Sequence, residues 1–395
     1  MKTIRESRVL ISLVIITTAI CLRAPITSVG SILYCIVEDL QLSNTIAGSI
    51  TTIPLIVIAL LSPGVSKIGE RTGINQALLL GLLILLAGIL IRSFGGLVGL
   101  LAGTALIGAG ISFGNVLIPA VIKNFFPEKI GTMTGVFTTT MSICSGIGAG
   151  ISVPLAVEMG WGWRLTFCIW AAAALLAVII SCMQLKNSPA VSTAASGKER
   201  EIKQAKPLYK IPLAWWVAIM FGGQSCVFYM MVTWLPMIVA DKGISAMAAG
   251  IVATVFQLAA IPANFAVPIL AGRFEKQSKL AMRVAGLGVI GLAGILFSTS
   301  MLPLAFSTGL LALGLGGTFS LSLVIFGMRT SDAMQAAQLS GFAQSAGYVM
   351  AAVGPMLAGV VYDWSGDWTI PILLAMGFMV LDLIAANIAG ADRKI

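Results

Sequence analysis

The sequence predicts an all-α integral membrane protein of twelve transmembrane helices, arranged as two six-helix bundles that repeat each other in parallel. Three observations predict it. The first is composition: of 395 residues, 58% are hydrophobic and only 10% charged, and mean hydropathy is +1.00. A soluble domain carries about 25% charged residues. The second is a succession of apolar runs, each near the ~20 residues a bilayer crossing needs. Backbone polar groups cannot stay unpaired in lipid, so such runs must be helical. The third is an internal repeat. An offset of 202 pairs Asp39 with Asp241, Ser43 with Ser245, Ala47 with Ala249, Gly48 with Gly250 and Arg71 with Arg273. An offset of 206 pairs Gly108 with Gly314, Gly110 with Gly316, Phe113 with Phe319, Leu117 with Leu323 and Lys123 with Arg329, and continues through Gly135, Gly148 and Gly160 with Gly341, Gly354 and Gly366. Six helices per copy, with equal orientation, imply an axis along the membrane normal, as in transporters that rock two bundles about a midplane site.

The elements follow in order. The first helix, about 9–36, rises from Lys2, Arg5 and Arg8 and contains Arg23. The second, about 45–66, ends on Lys67 and Arg71. The third, about 75–93, and the fourth, about 97–122, are parted by a weak boundary at Arg92, Ser93, Gly95 and Gly96; Lys123 closes the fourth. The fifth, about 130–156, starts after Lys129, and the sixth, about 163–185, ends on Lys186. A polar stretch, 186–211, rich in Ser, Ala, Lys and Glu, reads as a flexible linker between domains 1–185 and 212–395. The seventh and eighth helices, about 212–239 and 246–270, are joined near Lys242, and Arg273, Lys276 and Lys279 follow the eighth. The ninth, about 280–299, and tenth, about 302–327, precede Arg329. The eleventh and twelfth, about 335–361 and 368–389, lead to Arg393 and Lys394.

Charge placement gives orientation. Of the 24 Lys and Arg, only Arg92, Arg164 and Lys242 fall in segments on the far side from the N-terminus, and Arg23 alone falls within the membrane. The positive-inside rule then puts both termini in the cytoplasm. The net charge of +9 reflects topology and attraction to anionic membrane lipid, not nucleic-acid binding. The chain has no His, so imidazole relays and His-ligated metals are excluded. Its six Cys lie in apolar runs without CxxC spacing and read as packing residues. The first run is too long for a cleavable signal peptide and carries Arg23. The glycine clusters 108–114 and 314–317 lie inside apolar helices, where small residues serve close helix contact and not phosphate binding. No nucleophile–base set appears, so no enzyme, metal or cofactor is expected.

Arg23 is the most informative residue. A guanidinium at bilayer depth costs at least ~2.5 kcal/mol and normally faces a cavity or the protein interior. It lies roughly 21 Å from position 9, too far to snorkel. The one clearly intramembrane carboxylate, Asp382, sits on the last helix. Arg23 therefore reads either as a contact for an anionic or electron-rich solute or as an anchor to helix carbonyls, with Pro25 loosening the ladder beside it.

Several segments resemble the major facilitator superfamily and, within it, the cyanate/2-nitroimidazole transporter family. These are Leu22–Gly30 (LRAPITSVG), Gly114–Lys123 (GNVLIPAVIK), Thr233–Pro236 (TWLP), Leu313–Thr318 (LGLGGT) and Gly327–Pro355 (GMRTSDAMQAAQLSGFAQSAGYVMAAVGP). The resemblance implies a transporter of a small anionic or polar planar solute, cyanate- or nitroimidazole-like, and a bacterial cytoplasmic membrane protein that works as a monomer. The superfamily's loop motif G-x-x-x-D-R-x-G-R-R/K is partly matched: Ser66 replaces the first Gly, Glu70 replaces Asp, Arg71 and Gly73 match, and the trailing basic pair is absent. That match implies a conformational latch at Glu70 and Arg71. The Gly-Pro step of many proton-coupled drug exporters is missing from the fifth helix.

In the resembled fold helices one, four, seven and ten line the path, with two, five, eight and eleven beside them. This implies a solute site assembled from Arg23, Phe113, Asn115, Gln224, Phe228, Tyr229, Gln257, Asn264, Phe319, Gln344 and Tyr348. Gln224 and Phe228, and Gln344 and Tyr348, are i, i+4 neighbours; Gln257 and Asn264 share a face at spacing seven. Each polar one also reads as interhelical glue. Phe113 and Phe319, equivalent by repeat, form a candidate sandwich for a flat solute. Asp382 reads as a packing residue or a proton-coupling group. A proton-coupled multidrug exporter and a membrane sensor that binds without transport remain alternatives.

Overall fold

The computed structural model describes residues 2–42, 44–187 and 207–395. Among them are thirteen α-helices: α1 (Lys2–Ser31), α2 (Leu33–Leu40), α3 (Asn44–Thr72), α4 (Ile74–Phe94), α5 (Gly96–Phe125), α6 (Ile130–Val153), α7 (Gly162–Asn187), α8 (Pro212–Asp241), α9 (Ala246–Ala271), α10 (Ser278–Phe297), α11 (Met301–Met328), α12 (Ala333–Ser365) and α13 (Thr369–Ala389). All but α2 are long and apolar enough to cross a membrane, which gives 12 spans. This is a multi-pass membrane protein with six spans on each side of the linker. Most of the expected linker lies outside the described residues.

The expected first helix, 9–36, is two helices. The chain leaves helical geometry at Ile32 (φ −122°, ψ 19°), directly after Gly30 and Ser31, and α2 ends at Gln41 in the left-handed region (φ 50°). Gly and Ser are weak helix formers beside an apolar run, which permits the break. α2 carries Asp39 outside the spans. There Asp39 accepts from Trp163 Nε1 (3.1 Å) and pairs with Arg164 (2.8 Å). These partners on α7 hold the Asp39 carboxyl below the usual carboxylate range, with the Trp163 hydrogen bond the larger cause.

Helix caps follow the local sequence. Asp332 precedes α12 and its carboxylate accepts from Gln335 N (2.8 Å), while Gln335 Oε1 accepts from Ser331 N (2.5 Å), so two backbone amides at that terminus are satisfied reciprocally. At the end of α11, Arg329 is buried and donates to Gln277 Oε1, to Gly390 O (2.9 Å) and to Ala389 O (3.3 Å), which ties α11 to the start of α10 and the end of α13. Desolvation pulls the Arg329 guanidinium below its ordinary value; the nearby Asp392 opposes that fall.

The two halves meet along α3–α12, α6–α9 and α5–α12. Successive spans alternate in direction, so residues can be assigned to the face that carries both termini or to the opposite face. Among the described residues, the hydrogen bonds that join the halves lie in the terminal half. Lys123 Nζ donates to Gly327 O and Thr330 O (2.6 Å each) and Gln338 Nε2 donates to Glu70 Oε1. Ser345 Oγ donates to Ala59 O (2.7 Å), and Thr138 Oγ1 donates to Asn264 O (2.8 Å). Glycine permits the approach: a Cβ on Gly341 would lie 2.6 Å from Ser62 O, and one on Gly131 would overlap Pro268 O. The terminal side is closed by direct helix contact. On the outer turns of α12, Val349, Val353, Met356 and Val360 are exposed.

Candidate functional site

Between the halves lies a cavity of about 570 Å³, counting space continuous with solvent. α1 supplies Arg23; α6 supplies Ser142 and Ser145; α8 supplies Gln224, Ser225, Phe228 and Tyr229; α9 supplies Phe256, Gln257 and Asn264; α11 supplies Phe319 and α12 Tyr348. The walls thus come from both halves, as the parallel repeat requires. Small residues at Ala260, Ala312 and Gly316 leave the space open on the α9–α11 side.

Arg23 is half-buried and faces this cavity. Its guanidinium carbon lies 4.8 Å from the Phe319 ring centroid and 5.1 Å from that of Phe228. Each contact is a cation–π attraction of about 0.5–1 kcal/mol, or more where water is excluded. Among the described residues no carboxylate lies within ion-pair distance of it, and none lines the cavity. Phe228 is held in turn by a stacked contact with Phe256 (5.7 Å, 27°) and an edge contact with Tyr229 (5.3 Å, 86°). The aromatic group fixes the cation while leaving its N–H groups for a solute. A planar fork of donors beside ring faces suits a carboxylate, a nitro group or another flat polar group.

The remaining polar groups have mixed duties. Asn264 Nδ2 donates to Ser142 Oγ (2.7 Å), and its Oδ1 has no hydrogen-bond partner. Gln224 Nε2 donates to Phe221 O (2.9 Å) and Ser225 Oγ (2.6 Å). Tyr348 OH accepts from Asn115 Nδ2 (3.2 Å). Asn115 and Gln344 do not line the cavity. Gln344 Nε2 donates to Asn115 O (2.9 Å) and Ser340 Oγ (2.8 Å), so both residues stitch α5 to α12 behind the site.

The remaining expectations resolve as follows. Phe113 points away from the cavity: a Cβ on Gly81 would overlap it, so it fills the α4–α5 contact. On a helix with 100° between residues, a side chain that packs on α4 cannot also face the path. The sandwich at the site is Phe228 with Phe319, and it holds Arg23. Asp382 is fully buried on α13 against Gly223 of α8, and neither of its oxygens has a partner. It stands behind the cavity wall. Glu70 meets Gln338 across the halves, while Arg71 is exposed and has no ion pair among the described residues. Arg92, expected in an outer segment, lies inside α4 and is 1% exposed. Arg23 is therefore not the sole basic residue within the spans.

Sequence reasoning missed Ser142, Ser145, Ser225 and Phe256. Thr138, Ser142 and Ser145 recur at spacings of four and three, a polar stripe on α6 that marks one helix face.

Comparison with known proteins agrees with this architecture. The model of the Major Facilitator Superfamily matches residues 15–355. The uncharacterized transporter YycB of Bacillus subtilis (strain 168) is 40% identical over 96% of this chain and 93% of its own length. The 2-nitroimidazole transporter of Escherichia coli (strain K12) is 34% identical over 99% and 98%. The cyanate transport protein CynX of the same organism is 26% identical over 94% and 96%. Among solved structures, the proton:xylose symporter XylE superposes with a TM-score of 0.79 at 11% identity, covering 96% of this chain and 95% of that one. FucP gives 0.74 at 12%, covering 97% and 99%. These two establish the fold alone. The chain belongs to the major facilitator superfamily, in the branch of the cyanate and 2-nitroimidazole transporters, and is a transporter rather than an enzyme.

Proposed function

We propose that this transporter moves a small anionic or polar planar solute, cyanate- or nitroimidazole-like, by alternating access, with Arg23 as the midplane contact. One observation carries the reading. Arg23 faces a cavity shared by both halves, held between Phe228 and Phe319, with no carboxylate partner among the described residues. A cation so placed is neutralised by its solute or left costly. Gln224, Tyr229, Gln257, Asn264 and Tyr348 orient the solute. Asn115 and Gln344, with the Glu70 contact to Gln338, hold the terminal side closed in this state. Residues 1–185 and 212–395 act as the two rocking units, joined by 186–211. The protein sits as a monomer in the bacterial cytoplasmic membrane with both termini inside.

A proton-coupled exporter would want an acid in the cavity, and the lining has none. Asp382 is the one candidate for coupling, at a distance from the solute. The test is counterflow in proteoliposomes with labelled 2-nitroimidazole and labelled cyanate. Saturable exchange that rises on preloading with unlabelled solute is expected for at least one. Binding of these solutes without counterflow would leave a sensor, and would sink the transport reading of this cavity.

A further inference from the structure

Among the described residues Arg92 is the largest fully buried side chain, and it is a cation. It lies in the outer half of α4, where it reaches α1 and donates from Nη1 to Pro25 O (2.7 Å). Its guanidinium carbon stands 4.1 Å from the ring centroid of Phe167 on α7. Nε and Nη2 have no hydrogen-bond partner, and among the described residues no carboxylate pairs with it. A buried cation without a counter-charge is expensive, and an apolar side chain of the same length would serve packing better. Its retention calls for something that only the donor supplies.

The acceptor identifies that something. Pro25 lies inside α1, where its ring nitrogen leaves Cys21 O without its ladder donor. It is two residues from Arg23. The same turn is gripped from α6: Thr27 Oγ1 donates to Ser145 O (3.0 Å), and a Cβ on Gly148 would lie 3.0 Å from Ala24 O. α1 is therefore weakest at Pro25, and is clamped there by α4 on one side and α6 on the other. Arg23 leaves this clamped turn to enter the slot between Phe228 and Phe319. Those rings belong to the other half of the molecule, so the slot is met only if the α1 turn is held in register.

We propose that Arg92 is a positioning residue for the solute site: its bond to the Pro25 carbonyl fixes the proline-weakened turn of α1 that presents Arg23 to the cavity. This rests on the reading of Arg23 as the solute contact. It acts through Arg23 and touches no solute.

The test uses the full-length protein with Arg92→Met, which keeps length and removes the donor, and Arg92→Lys, which keeps a donor. With 2-nitroimidazole as probe, Arg92→Met raises the KM for uptake about 10-fold or more, as expected for loss of a hydrogen bond from a charged donor. Its melting temperature is equal to or above that of the parent protein, because a desolvated charge is gone. Arg92→Lys restores much of the KM. An unchanged KM in Arg92→Met overturns the proposal. Hydrogen exchange of the solute-free protein decides the matter separately. Amides 26–31 exchange faster in Arg92→Met and recover in Arg92→Lys; unchanged exchange there overturns it. If the parent protein neither binds nor moves the probe, the functional reading of Arg23 fails while the exchange result still tests the clamp.

Discussion

Adding one methyl group at Gly131 or Gly341 should open the terminal face. A Cβ on Gly341 would lie 2.6 Å from Ser62 O, and one on Gly131 would overlap Pro268 O with Gly272 N at 3.3 Å. Both obstructing oxygens are backbone atoms, which cannot rotate aside. Overpacking of this kind costs about 1–3 kcal/mol. Gly131 sits on α6 against α9, and Gly341 on α12 against α3, so each clash exists only while the halves are closed on this side. The gain of about 1 kcal/mol from replacing Gly by Ala within a helix is common to both states and cancels. The whole penalty therefore falls on the closed state, and shifts the balance of states by about 5- to 150-fold. Spin labels at Thr72 and Lys276, both exposed on the terminal face in opposite halves, read the separation by pulsed electron paramagnetic resonance. Gly131→Ala and Gly341→Ala should each add a longer-distance population that the parent protein lacks. Unchanged distances in two variants that remain folded would refute the claim that close backbone contact holds this face shut.

Three further outcomes follow from the geometry. Phe228→Leu removes one of the two rings that hold Arg23, and should raise the Kd for a bound solute about 2- to 5-fold, the loss of one exposed cation–π contact; titration calorimetry checks it. Asp39 is held below the usual carboxylate range by Trp163 and Arg164, so its contribution is present above the unfolded pKa and is lost as pH falls through the depressed folded value. The difference in melting temperature between the parent protein and Asp39→Asn should therefore persist from pH 7 to pH 5 and vanish only below the ordinary carboxylate range. Asp382→Leu removes a buried acid that makes no hydrogen bond, and should leave the melting temperature equal or higher, by up to about 3 kcal/mol of stability; a marked fall would mean that the carboxyl has a partner.

The twelve spans were legible because lipid forces apolar runs into helices, and the parallel repeat was legible because paired glycines survive at fixed offsets. Side-chain direction was not. Phe113 and Phe319 are equivalent in the repeat, yet one packs on Gly81 and the other holds Arg23, since the two bundles are not identical around the axis. Arg92 ends an apolar run, and a charge in that place reads as a loop residue. What brings it inside is close packing at Gly88 and Gly103, where α5 backbone meets α4 too tightly for a Cβ, and that depends on tertiary contact. Ser142 and Ser145 were obscured because a serine in an apolar helix usually bonds its own backbone. Gln224, Tyr229, Gln257 and Asn264 do line the cavity, as polar groups at that depth are costly unless they face a cavity or one another.

The most direct test of the central claim is solute binding to the parent protein and to Arg23→Ala, by thermal shift with 2-nitroimidazole and with cyanate. The account predicts stabilisation of the parent protein by at least one of them and none in Arg23→Ala, which stays folded because no ion pair is lost. Full stabilisation retained in Arg23→Ala would contradict it and make Arg23 an anchor of the bundle instead of a contact for the solute.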